Sequence, residues 1–322
     1  MKKAKYFILT ILFGGLSSLA FTSCSDDDDE NETGKVDIES KITQQPNSNQ
    51  NVFEGNSDVL RLEVPRLRQG KDYRFVSHWA KVSDSSSKTT MNFCLEYDSA
   101  CYHSRWVAFT FNDTTSVRSV GRTDTWSADM SLPTSWQLDP TAYSGSGYTR
   151  GHLCASADRL YSTQANNQTF NMSNMSPQLY NFNSYYWAEL ELLIRNWSKS
   201  STFKKLYVCK GGTIKEGQRF QGKGYFETTN VRGDAVKVAV PKYYFMAILA
   251  ETKNNTYQSI GFLLEQHGSY AATYPSMQQM KQHAMSIDEL EKFTDIDFFC
   301  NLTDKLEDNV EKGYNPDAWS WN

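Results

Sequence analysis

The chain has 322 residues, 39% hydrophobic and 14% aromatic, with a formal charge of −4. That composition excludes a disordered chain, and the length admits one large domain or two small ones. Removing the three lysines and six acidic residues of the first 32 positions leaves 30 Lys+Arg against 31 Asp+Glu. A generally basic protein is therefore excluded, and affinity for nucleic acid must come from local patches.

The chain opens with "MKKAKYFILTILFGGLSSLAFTSC". The Lys-rich start and the apolar run from Tyr6 to about Phe21 read as a secretory signal, too short and too Gly/Ser-broken for a good membrane span. The run ends at Cys24, which resembles the cleavage box of bacterial lipoproteins, although Phe21 stands where Leu is usual. The expectation is a signal over residues 1–23 and a lipid on Cys24 that anchors the chain to the outer membrane. "SDDDDE" follows directly and resembles the acidic export signal of surface lipoproteins, which implies surface exposure. Residues 24–57 are acidic and polar and read as a flexible tether.

Residues 58–322 read as one continuous domain. "MNFCLEY" and "RWVAFTFN" are expected strands joined by a turn at "DSACYHS". "DPTAYSGSGY" is a Gly/Ser-rich loop leading into "YTRGHLCASADR", Tyr148 to Arg159. "SYYWAELELLIRNW" is expected to be a helix; "KLYVCKGGT", "VKVAVPKYYFMAILA" and "YQSIGFLLEQ" are expected buried strands. "SIDELEKF" carries a capping box, Ser followed three residues later by Glu. Strands in runs with a few helices give an α+β class. Five cysteines remain beyond Cys24, an odd number that leaves at least one thiol unpaired. Cys94 and Cys101 flank a turn, so a local bridge is open to them, and no connectivity is assigned.

On a helical projection with Trp187 at the centre, Leu190, Ile194 and Trp197 make the buried stripe, and Glu191 and Arg195 border it. Glu189 should be exposed. The spacing of Glu191 and Arg195 allows an i, i+4 ion pair, which alone is an ordinary surface feature. Asn183 lies eight residues before Glu191, where a helix cap is the plain reading. Other chemistry is open to the same residues. A neutral imidazole at His152 can take a proton from water. Arg150 offers donors shaped for phosphate oxygens. An Asn amide oxygen is a hard ligand for Mg²⁺, and a nearby carboxylate can hold the ion's waters.

These segments resemble the DNA/RNA non-specific endonuclease family. The chain keeps Arg150-Gly151-His152, then Ser173-Asn174 and Pro177-Gln178, then Asn183, Glu191 and Arg195 at the family's intervals. Thr149 replaces the family's leading Asp. The resemblance implies an α+β, ββα-metal (His-Me finger) nuclease with a mostly antiparallel central sheet flanked by helices. It places His152 on or just after the second of two strands, with the Asn183 helix packed across them. It implies Mg²⁺, or another divalent ion such as Mn²⁺, held by Asn183 as sole direct protein ligand. It makes His152 the general base, Glu191 the holder of metal-bound water, and Arg150 and Arg195 the phosphate ligands. The implied substrate is DNA or RNA, cut without sequence preference to 5′-phosphates. The alternative is a weak or inactive homologue that binds nucleic acid or glycan at the surface.

Tyr148 and Arg159 are candidate nucleic-acid contacts. Asn174 and Gln178 are expected to support the site, and His78, His103, His267 and His283 to be structural or superficial. Two stretches carry excess positive charge and are candidate groove borders, residues 60–74 and 143–205.

Overall fold

The structure, a computed structural model, describes residues 46–220 and 224–321. The expected signal, Cys24 and the first part of the tether lie outside those residues. The strands are β1 (Tyr73–Lys81), β2 (Thr89–Asp98), β3 (His103–Phe111), β4 (Thr149–His152), β5 (Met175–Gln178), β6 (Phe203–Gly212), β7 (Tyr225–Thr229), β8 (Ala235–Ala239), β9 (Tyr243–Thr252), β10 (Tyr257–Glu265) and β11 (Ala284–Met285). The α-helices are α1 (Thr163–Gln168), α2 (Ala188–Trp197), α3 (Met277–Lys281), α4 (Ile287–Thr294) and α5 (Asp304–Lys312); a π-helical segment, Phe182–Trp187, leads into α2.

Seven strands form one antiparallel sheet in the order β1-β2-β3-β6-β9-β10-β11. The central strands β3 and β9 are buried almost throughout because both faces of the sheet are covered. Edge strand β1 alternates instead, with Val76, His78 and Ala80 turned inward. The β2–β3 hairpin forms as expected, with turn residue Tyr102 at positive φ. "VKVAVPKYYFMAILA" is two strands, not one. Pro241 has no N–H to give a ladder, so β8 ends before it and pairs with β7 in a small sheet of its own, while β9 joins the main sheet.

One face of the sheet, with Phe93, Leu95, Val107, Phe109, Leu206 and Val208, packs against α2. Trp187, Leu190, Leu193, Ile194 and Trp197 fill that contact, the expected stripe plus Leu193. Each such side chain contributes about 1.5–3 kcal/mol when fully buried. Glu189 is half-buried, not exposed. The opposite face holds Trp106, Tyr207, Phe245 and Leu249 under α4, α5 and the segment around Leu62–Leu67. Ser286 and Glu289 form both bonds of the expected capping box at α4.

Two further expectations are corrected. Residues 46–57 are not all tether. Asn51 is buried and donates to Val59 O at 3.1 Å and Pro65 O at 3.0 Å, and Asn49 donates to Glu307 Oε1 at 2.7 Å, so this stretch is stitched to the domain. Cys94 and Cys101 are not bridged. They sit in separate apolar clusters, and all five described cysteines are free and buried.

Candidate active site

β4 and β5 pair antiparallel with Thr149 opposite Gln178 and His152 opposite Met175. The hairpin is tight because position 151 has no side chain. A Cβ on Gly151 would stand 1.9 Å from Gln178 Oε1. The resemblance implied that His152 lies on or just after the second strand of the pair; it instead ends the first, β4. The helix that follows β5 packs behind it.

Arg150, His152, Asn183 and Glu191 all line one cleft of about 530 Å³, with Tyr148 at its wall. The helix brings Asn183 and Glu191 together through its irregular start. Eight residues of α-helix advance about 80° beyond whole turns. Phe182–Trp187 is π-helical. A π-helical turn takes more residues than an α-helical one, which narrows that offset. The two side chains thus share a face.

The His152 ring lies edge-on to Phe170, centroids 5.1 Å apart, and 5.5 Å from the Trp126 ring. Its Nε2 is enclosed and meets no protein partner. Burial, reinforced by the Arg122 charge, pushes its pKa down to about 3, so the imidazole is neutral at pH 7. Trp187 Nε1 donates to the His152 carbonyl at 3.3 Å and ties the helix to the strand end. The Arg150 guanidinium lies over the Trp126 ring and donates to Pro140 O at 3.1 Å.

Asn183 Nδ2 donates to Thr149 Oγ1 at 3.0 Å, and that hydroxyl donates to Gln178 O at 2.8 Å. Thr149 thus orients the Asn183 amide and leaves Oδ1 as its open acceptor. Asn174 is fully buried and bonds Cys154 and Thr169, which fixes the loop after His152. His103 and His78 are buried structural residues, bonded to Ser176 and Asp129.

Glu191 and Arg195 do not pair with each other. Arg195 Nη1 donates to Asp158 Oδ1 at 2.8 Å, and Glu191 Oε1 lies 3.6 Å from Lys210 Nζ. Asp158 also takes Lys210, at 3.1 Å. Burial pushes the Asp158 carboxyl up, but Lys210 and Arg195 outweigh it and hold it below its usual value. Burial pushes Glu191 up to about 7, with Lys210 the foremost opposing charge. Arg195 is not a wall of the cleft; its guanidinium is committed to the charge network beneath it. Arg159 is corrected as a nucleic-acid contact. It is fully buried, with its guanidinium over Phe109 and Phe111. The basic stretch at 60–74 belongs to the opposite face, where Arg61 pairs with Glu63 and Arg68 with Asp295.

Four residues of the site escaped the sequence reading: Arg122, Trp126, Asp158 and Lys210. Lys210 had a signal, a lone ammonium in the apolar run "LYVCKGG". Arg122 and Trp126 sit in a loop with no periodicity to mark them. A separate carboxylate group, Glu291, Asp297 and Glu311, has oxygens within 4.8 Å of one another at α4 and α5, and none of the three lines the cleft.

Two short antiparallel strands, a helix, and a cleft that joins histidine, asparagine and glutamate define a nuclease of the ββα-metal class. The family model described as DNA/RNA non-specific endonuclease matches residues 75–305, and the chain belongs to that family. It is 28% identical over 222 residues to "Nuclease" of Nostoc sp., covering 68% of this chain and 75% of that one. It is 26% identical over 223 residues to "Nuclease EXOG, mitochondrial" of Xenopus laevis, covering 69% of this chain and 60% of that one. A chain in the crystal structure of an EndoG/EndoGI complex shares the fold, with a TM-score of 0.54 at 22% identity over 70% of this chain and 89% of that one.

Proposed function

We propose that the protein is a Mg²⁺-dependent, sequence-non-specific endonuclease that hydrolyses DNA or RNA to 5′-phosphate products. One observation carries this reading. His152 Nε2 is enclosed at the cleft and lacks a hydrogen-bond partner, beside the open amide oxygen of Asn183 and the Glu191 carboxylate, whose Oε1 is turned to Lys210 at 3.6 Å. Buried polar atoms are normally satisfied, so an enclosed imidazole nitrogen left open in a cleft marks a group held for a ligand.

The donor set fits a hard divalent ion: an amide oxygen and a carboxylate, with no thiol or second imidazole. Asn183 would hold it and Glu191 would hold its waters. When bound, such an ion supplies charge stabilisation at phosphorus and at the leaving oxygen. The neutral His152 imidazole takes a proton from water as that water's oxygen bonds to phosphorus. The P–O3′ bond breaks, and solvent supplies the proton that completes the 3′-hydroxyl. Arg150 and Arg122 line the same cleft and hold phosphate oxygens. Tyr148 at the cleft wall offers a ring face on which any base can stack, in keeping with cleavage without sequence preference.

Plasmid DNA and RNA should both be tested with Mg²⁺ and with EDTA. Cleavage that EDTA abolishes, and that His152→Ala lowers about 10²–10⁴-fold with the fold intact, is expected. Metal-independent cleavage, or a His152→Ala variant with most of its turnover, would overturn the assignment.

We also propose that Cys24 is lipidated and holds the enzyme at the surface of the outer membrane. The basic start, the apolar run and the position of the cysteine support this. Cys24→Ala should move the protein from the detergent to the aqueous phase. A wild type already in the aqueous phase removes the anchor.

A further inference from the structure

Lys210 lies near the end of β6, the middle strand of the sheet, between the partners Val107 and Met246, and its side chain has no exposure at all. Its ammonium sits on the α2 side of the sheet, 5.2 Å from the Phe109 ring centroid. A buried ammonium is costly unless paired, and a well-packed apolar residue there would be about as stable. Stability alone therefore does not account for it. Both oxygens of Asp158 are occupied, Oδ1 by Arg195 at 2.8 Å and Oδ2 by Lys210 at 3.1 Å. That bond turns the ammonium toward Glu191, whose Oε1 is 3.6 Å away and has no other polar partner. Glu191 is thus backed by a fixed cation from below while its other side meets the cleft.

We propose that Lys210 is the positioning residue of Glu191: held by Asp158 and Arg195, its ammonium fixes the carboxylate at the cleft floor in the geometry that receives the metal's water shell. This rests on the reading of the cleft as a metal-assisted nuclease site. Lys210 touches neither substrate nor ion in this scheme and acts only through Glu191.

The test uses the full chain as wild type, Lys210→Met, Glu191→Gln and the double variant. Readouts are kcat and KM on plasmid DNA, Mn²⁺ binding by the electron paramagnetic resonance of the free ion, and Tm. Lys210→Met should lower kcat roughly 10–100-fold and weaken Mn²⁺ binding about 10-fold. KM for DNA should stay close to that of the wild type. In the Glu191→Gln background the same change should cost almost nothing, because its target is already gone. Losses that multiply in the double variant, or wild-type kcat and Mn²⁺ affinity in Lys210→Met, overturn the proposal. If Lys210→Met does not fold, Tm decides. Adding Glu191→Gln leaves Asp158 balanced by Arg195 and should restore folding; a double variant no more stable than the single one overturns the coupling. A wild type inactive on DNA and RNA would sink the nuclease reading, while Mn²⁺ binding and Tm would still test Lys210 against Glu191.

Discussion

The Arg150 guanidinium lies over the Trp126 ring, with Cζ 3.7 Å from the ring centroid. Trp126 also meets Phe170 edge-on, and Phe170 in turn meets His152. One aromatic pair thus aims the cation and shields the base. Trp126→Ala should lower kcat/KM roughly 2- to 30-fold, the range of a cation–π contact of about 0.5–2 kcal/mol. The loss should be much smaller in an Arg150→Ala background. Equal losses in both backgrounds would show that Trp126 does not act through Arg150.

Asn183→Ala should abolish Mg²⁺-dependent cleavage, and excess Mg²⁺ should restore little, because the ion loses its anchor. Thr149→Ala removes the bond that orients the amide, together with the hydroxyl's own bond to Gln178 O. Its cost should be roughly 2- to 12-fold, that of a hydrogen bond of about 0.5–1.5 kcal/mol, with a higher half-saturating Mg²⁺ concentration. Cleavage titrated against Mg²⁺ reads both. An Asn183→Ala enzyme that cuts normally at ordinary Mg²⁺ leaves Asn183 as a helix-start residue and nothing more.

Stability should fall as pH rises from 7 to 8.5. Burial, aided by neighbouring carboxylates, pushes Glu307 up to about 7, Glu291 to about 8 and Glu311 to about 9. The unfolded chain releases these protons near pH 4.3. The folded state therefore binds more protons between those values, and the stabilisation present below about pH 4 is lost as pH climbs through the folded values. Buried thiols act in the same direction above about pH 8.5, so the carboxylates are isolated by Glu311→Gln. That variant should flatten the fall in Tm between pH 7 and 8.5. A wild-type Tm that rises over this window contradicts the assignment.

Gly151→Ala should cost about 1–3 kcal/mol, because its methyl would overlap the buried Gln178 side chain. Trimming that neighbour should relieve the overlap. Gly151→Ala/Gln178→Ala is expected to unfold at a higher temperature than Gly151→Ala alone. If Gln178→Ala instead lowers Tm further, the close approach is not the source of the loss.

The parts of the molecule that repeat were legible in the sequence. The β2–β3 hairpin, the α2 stripe and the α4 capping box each follow from alternation, helical spacing or a local hydrogen bond. The cleft residues Arg150, His152, Asn183 and Glu191 were found through an ordered spacing whose geometric sense was hidden. The π-helical segment at the helix start, which no sequence rule marks, helps to bring Asn183 and Glu191 to one cleft. The partners of Arg195 and Glu191 were misjudged because an i, i+4 rule sees one helix alone. Asp158 and Lys210 arrive from a loop and from the middle of the sheet, and only tertiary packing brings them there. Arg159 looked like a surface cation for the same reason, whereas two phenylalanines enclose it.

Cys94, Cys101, Cys154, Cys209 and Cys300 are all buried and unbridged. The thiols form a set of internal clocks, since each reacts with an alkylating reagent only when its own surroundings open. Cys300 lies 3.5 Å from Asn51 Nδ2, under the segment that starts at residue 46. Its labelling rate reports the lifting of that segment. Cys209 lies in the centre of the seven-stranded sheet, so its labelling waits for the whole molecule to come apart.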